Sequence, residues 1–199
     1  MALSGCFVQS IHPFYTDAAR IAMPQVFGEW DLQRAAGENV ATNGIKPWTF
    51  SDGGKTNCTI LVHDKENTPA NISAVFFKVA NRTYCDFTAG DPENTKLNAY
   101  WVWNLRAIHT VYQVDAKGDD LKLKPMDYEW FTKAVEKGEI KVPMIKEVGN
   151  DDALPLFTAT PQEWEKILSK HGGTASAFSD QNSFVLKRRA SPKQEGAKP

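Results

Sequence analysis

The alternation of apolar and polar residues shows a chain built mainly of short strands, with two helices late in its course. Residues 26–32 give the first strand signal, with Phe27, Trp30 and Leu32 as its large apolar residues. Lys46-Pro47-Trp48-Thr49-Phe50 alternates and runs into the turn Ser51-Asp52-Gly53-Gly54. Residues 56–63 predict the next strand, with Cys58, Ile60 and Val62 on one face, and 64–73 read as a polar loop containing Pro69. Residues 74–88 predict a hairpin about Asn81-Arg82, where Asn suits a positive φ. Residues 107–116 alternate, with Ile108, Thr110, Tyr112 and Val114 on one side and His109, Val111 and Gln113 on the other. Lys117-Gly118-Asp119 then turns the chain into Leu121-Lys122-Leu123.

Period 3.6 appears twice. Asp127 is placed to cap a helix that puts Trp130, Phe131, Ala134 and Val135 on one face and stops at Gly138. Thr160-Pro161-Gln162-Glu163 combines a capping Thr, Pro at the first helical position and Glu at the third, a capping box. Trp164, Ile167 and Leu168 form that helix's buried stripe, and Gly172 ends it. Residues 183–188 predict a closing strand. Strands, then helices, then one strand indicate an α+β fold, mainly β, with a barrel or strongly curved antiparallel sheet instead of alternating βαβ units. The expected organisation is a leader remnant at 1–5, a lipid-attachment and extended linker segment at 6–25, one β-rich domain at 26–189 and a disordered tail at 190–199.

Composition narrows the function classes. The chain has 199 residues, 42% of them hydrophobic and 24% charged, enough apolar material for one real core. A net charge of -1 gives no reason to expect a nucleic-acid partner. No apolar run is long enough to span a bilayer as a helix. Six Trp and eleven Phe are core material first and a stacking surface second.

The chain opens Met1-Ala2-Leu3-Ser4-Gly5-Cys6, and Leu-Ser-Gly-Cys resembles the lipobox of bacterial lipoproteins, whose Cys thiol takes a diacylglycerol. The expectation is that Met1-Ala2 stands in place of the basic and apolar stretch of an export signal. Cys6 is therefore the expected lipidation site and the membrane the expected partner. Phe7 stands where some bacteria read a retention Asp, which points to the periplasmic face of the outer membrane over the inner. With Cys6 lipidated, Cys58 and Cys85 remain. In a meander the first hairpin arm separates them by roughly 9–10 Å. A disulfide needs Cα atoms within roughly 7 Å, so two free buried thiols are expected.

Phe27-Gly28-Glu29-Trp30 resembles the Gly-x-Trp opening strand of lipocalins, and helix 161–171 with strand 183–188 resembles their late helix and closing strand. That resemblance implies a barrel closed at one end by Trp30, with Arg188 or Arg189 packed over it. The helix near 127–137 departs from the lipocalin pattern. The Cys6, His12-Pro13-Phe14-Tyr15-Thr16, Gly28-Glu29-Trp30 and Asp127-Tyr128-Glu129-Trp130 segments together are similar to a group of uncharacterised bacterial envelope lipoproteins. This similarity spans residues 6–188 and implies location, not activity.

Chemistry-bearing motifs are few. His12, His63, His109 and His171 have neither helical i, i+4 spacing nor a Cys/His metal spacing, so no metal or cofactor is expected. Gly53-Gly54-Lys55-Thr56 lacks the first Gly of a phosphate loop, with Thr49 in its place, and no helix follows. No nucleophile pattern accompanies His109, so no catalytic residue is assigned. Trp101 and Trp103 share a face if extended, either as core or as a surface for a ligand or partner, with His109 as a further candidate there. The tail from Lys187 holds five basic residues and one acidic. Three classes remain: a lipid-anchored protein that binds a small apolar or amphiphilic ligand, an assembly or scaffold subunit of an envelope complex, and, last, an envelope hydrolase. An open, lined barrel favours the first, a filled barrel with an exposed apolar patch the second, and titratable groups converging in a cleft the third.

Overall fold

The computed structural model describes residues 7–34, 44–64, 66–90, 107–146, 154–178, 180 and 182–190. Eleven strands form one sheet: β1 (Gln9–Ser10), β2 (Gly28–Arg34), β3 (Trp48–Asp52), β4 (Asn57–His63), β5 (Pro69–Val79), β6 (Arg82–Ala89), β7 (His109–Lys117), β8 (Asp120–Pro125), β9 (Met144–Ile145), β10 (Leu156–Phe157) and β11 (Phe184–Arg188). Two α-helices, α1 (Tyr128–Glu136) and α2 (Pro161–His171), lie between β8 and β11. Strands β2 to β8 follow one another as antiparallel neighbours, and β11 fits between β8 and β2. Among the described residues the result is a closed eight-stranded antiparallel barrel with two α-helices, of the lipocalin-like kind, and not an open curved sheet. β1, β10 and β9 extend the sheet beyond the barrel along β7.

The barrel interior is filled. Period-two alternation sends Trp30, Leu32, Trp48, Phe50, Cys58, Ile60, Ala74, Phe76, Cys85, Phe87, Tyr112, Leu121, Leu123 and Leu186 inward, all buried. The outward faces of β5, β6 and β7 are apolar too, through Phe77, Val79, Tyr84 and Val111. A second core covers them. Phe131 and Ala134 of α1, Trp164 and Leu168 of α2, and Val8, Phe14 and Phe157 pack there. Trp164 lies against Phe14, with ring centroids 4.4 Å apart, and edge-on to Phe157 at 6.2 Å.

Local chemistry sets the helix ends. The Asp127 side chain accepts from Trp130 N at 2.8 Å, starting α1. Thr160 and Glu163 make the reciprocal capping box of α2. The capping contacts with Thr160 hold the exposed Glu163 carboxyl below its ordinary range. Trp130 is only half-buried, near His171 of α2, so Phe131 is the main anchor of α1.

Four local expectations change. Residues 69–73 belong to β5 and not to a loop, because Ile72 faces the interior while Asn71 and Ser73 pair outward with Leu61 and Thr59. The hairpin's positive φ, 53°, falls on Ala80 instead of Asn81. Strand β2 begins at Gly28, after a 3-10 turn over Pro24–Val26. Residues 7–25, expected as a linker, lie against the barrel, with Val8, Ser10 and Phe14 buried.

Cys58 and Cys85 are free and buried, on β4 and β6 with β5 between them. Burial pushes the Cys58 thiol up to about 12 and raises Cys85 well above the ordinary thiol value. In a Cys6→Ser variant we expect both to resist a maleimide until the protein unfolds; reaction in the native state would contradict this packing. Trp164→Ala should cost about 3–5 kcal/mol in denaturant unfolding. The buried Tyr84 hydroxyl has no hydrogen-bond partner among the described residues, and burial raises its pKa to about 12. Tyr84→Phe should therefore leave stability unchanged or raise it by about 1 kcal/mol, measured the same way.

Candidate functional site

Titratable side chains converge on the outer face of β6 and β7, beneath the N-terminal segment. β1 pairs with β7, so Ser10 stands opposite His109. The chain then crosses β6, where Phe14 N donates to Asp86 Oδ2 at 2.9 Å. The other oxygen of Asp86 accepts from His109 Nδ1 at 2.7 Å. Asp86 is only 2% exposed. Burial raises its carboxyl above the usual range, and the bonds from His109 and Phe14 oppose that rise.

Ser, His and Asp together are the residue types of acyl transfer, and their contacts here decide against that use. Ser10 is fully buried, and its Oγ accepts from Trp164 Nε1 at 3.0 Å and from His12 N at 3.1 Å. The hydroxyl joins α2 to the N-terminal segment. The group is a clasp that fixes residues 8–16 across the barrel. Thr16 N adds to it by donating to Glu165 of α2 at 2.7 Å. Among the described residues, no three His, Cys, Asp or Glu side chains are grouped to hold a metal ion.

The barrel ends differ. At one, the Arg188 guanidinium lies 4.2 Å from the centroid of the buried Trp30 ring. Arg188 also donates to the carbonyls of Phe27 and Gln25. Gly28, at φ +121°, leaves room for it: a Cβ there would sit 3.1 Å from Arg188 Nη1. A nearby pocket beside Met23, Phe27, Cys58 and Phe76 has a volume of about 20 Å³, room for about one water molecule. At the other end, Phe7, Phe87, Tyr112, Phe184 and Trp48 form a chain of aromatic contacts with centroids 4.6–6.1 Å apart. Phe7, Phe184, Val62, Ile72 and Val114 are half-buried around it.

One sheet margin is apolar and open. Met144, Ile145 and Leu154 are 42%, 58% and 39% exposed. Among the described residues β9 ends the sheet, paired with β10.

Of the residues singled out from sequence, Trp30 and Arg188 come together at a barrel end, and His109 joins the clasp. Cys6, Trp101 and Trp103 lie outside the described residues. Sequence reasoning missed Asp86, although an acid between Cys85 and Phe87 in an apolar strand was a usable signal. Comparison with protein families, with curated proteins and with solved structures found no match.

Asp86→Ala leaves the Phe14 N–H and His109 Nδ1 without their buried acceptor and should cost about 3 kcal/mol or more in urea unfolding. Asp86→Asn keeps an acceptor but does not titrate. Because the folded-state pKa of Asp86 is raised, its proton stabilises the fold fully below about pH 4, and that contribution is lost as pH rises through the folded value. Relative to Asp86→Asn, wild type should therefore be most favoured near pH 3.5 and lose ground towards pH 7. An unchanged difference would show that the carboxyl is not raised.

Proposed function

We propose that this protein is a lipid-anchored component of a bacterial envelope, held through Cys6, and that it works as an assembly or scaffold subunit through its outer surface. One observation carries the choice: the described barrel is occupied along its length by its own side chains. A closed barrel is compatible with ligand binding, but this interior leaves little volume for a guest. The clasp around Asp86 is satisfied internally and presents no accessible nucleophile, which places a hydrolase last. What the molecule offers a partner is the rigid outer surface of a closed sheet.

A small apolar ligand is the second reading, favoured by the half-buried rim of Phe7, Val62, Ile72, Val114 and Phe184.

Anchoring is tested by expressing the protein behind an export signal in a diderm bacterium. Mass spectrometry should find acylated Cys6 at the mature N-terminus, with the protein in the outer-membrane fraction and Cys6→Ser released or unprocessed. An intact, unmodified N-terminus upstream of Cys6 would sink the anchor. The two binding readings separate on solvent extraction of purified protein. We expect no stoichiometric lipid and a defined envelope protein captured by crosslinking; one mole of extractable lipid per mole of protein would favour the ligand reading instead.

A further inference from the structure

The N-terminal segment and the exposed apolar margin lie on the same side of the molecule. β10 runs parallel to β1, with Gln9 beside Leu156. Leu154 precedes Leu156 by two residues, as Phe7 precedes Gln9. Both therefore belong to one margin of the sheet. Ile145 pairs with Leu156 across the next strand. Two strand spacings place β9 about 10 Å from β1. Met144 and Ile145 are flanked by Lys141 and Lys146, both exposed and neither paired with a carboxylate among the described residues.

Phe7 is itself fixed. It bridges to Asp127, and its ring lies 6.1 Å from that of Tyr112. Only one peptide bond separates it from Cys6, a Cα step of about 3.8 Å. Acyl chains on Cys6 would keep this margin of the barrel close to the headgroups. The surface beside that attachment point carries Met144 and Ile145 between two lysines, with Leu154 on the neighbouring segment. Apolar side chains flanked by lysines suit the bilayer interface, where the apolar part enters the acyl boundary and the ammonium groups meet anionic lipid.

We propose that the β9 margin is a membrane-contact surface: Met144, Ile145 and Leu154 enter the interfacial layer of the leaflet that holds Cys6, and Lys141 and Lys146 face its anionic headgroups. This rests on the anchoring reading above. It sets the orientation of the barrel on the membrane, a one-sided seat that leaves the Lys117 end pointing away.

The test does not depend on whether a cell acylates Cys6. The folded protein is coupled through Cys6 to maleimide-lipid in phosphatidylethanolamine–phosphatidylglycerol vesicles, since Cys58 and Cys85 are buried. A tryptophan reporter is introduced by Ile145→Trp, with Lys117→Trp at the far turn as the comparison. Both sites are exposed. After the parent signal is subtracted, brominated lipid should quench the Ile145→Trp reporter at least twofold more than the Lys117→Trp reporter. In uncoupled protein, Met144→Glu with Ile145→Glu should reduce partition into the same vesicles roughly tenfold. Equal quenching of the two reporters, quenching no greater than the parent's, failure of folded Cys6 to couple, or β9-dependent dimers in place of lipid contact would each overturn the proposal. Quenching as expected with no acylation in cells would remove the anchor and leave the contact surface standing. The reverse pair of results would remove the contact surface alone.

Discussion

Three neighbouring strands of this barrel carry large apolar side chains on both faces, and both faces must be kept from water. In β5, β6 and β7 the inward set includes Phe76, Cys85 and Tyr112, and the outward set Phe77, Tyr84 and Val111. The inward set is buried by barrel closure. The outward set needs a second layer, and the rest of the chain supplies it. α1, α2, β1, β10 and the segment through Phe14 are where they are because that face requires cover. Burying a large aromatic side chain is worth about 1.5–3 kcal/mol, so the outward face cannot be left wet in a domain of marginal net stability.

Asp86 is the exception within that face, and its environment shows how the exception is tolerated. A carboxyl so deeply buried is costly unless its oxygens are bonded. One oxygen takes the His109 ring and the other the Phe14 backbone. The two donors come from different elements, so satisfying the acid also fixes the N-terminal segment over the barrel. Ser10 and Trp164 repeat the device a few residues away, with a polar pair joining that segment to α2. Polar groups in this second core therefore specify which segments cover it, while apolar contact supplies most of the stability.

The legible parts of the fold were those with a local cause. The capping box at Thr160 and Glu163, the Asp127 cap and the alternation about Tyr112 are written in neighbouring residues and reappear as α2, α1 and β7. Free thiols at Cys58 and Cys85 also followed, since the meander puts β5 between their strands. What failed depended on distant partners. Ile72 looked like a loop residue until β4 supplied its pairing with Ile60. Asp86 and His109 are 23 residues apart, and nothing local announces that a carboxylate will meet that ring beneath Phe14. The packing of residues 7–25 was hidden for the same reason, because the face they cover is assembled from strands far along the chain.

The closing strand has a consequence for how the molecule comes into being. β11 lies between β8 and β2, and it pairs Arg188 with Trp30 across most of the chain. Until residues 184–188 exist, β2 and β8 are two bare edges and the sheet cannot close. At about 5–20 residues per second, synthesis from β2 to β11 occupies roughly 8–30 s. Throughout that interval the aromatic lining of the future interior is open to solvent or to a chaperone. A ribosome stalled before Ser183 would release an unclosed sheet with two free strand edges, the form most prone to pair with its own copies. The chain thus commits to its native shape only when its last few strand residues arrive.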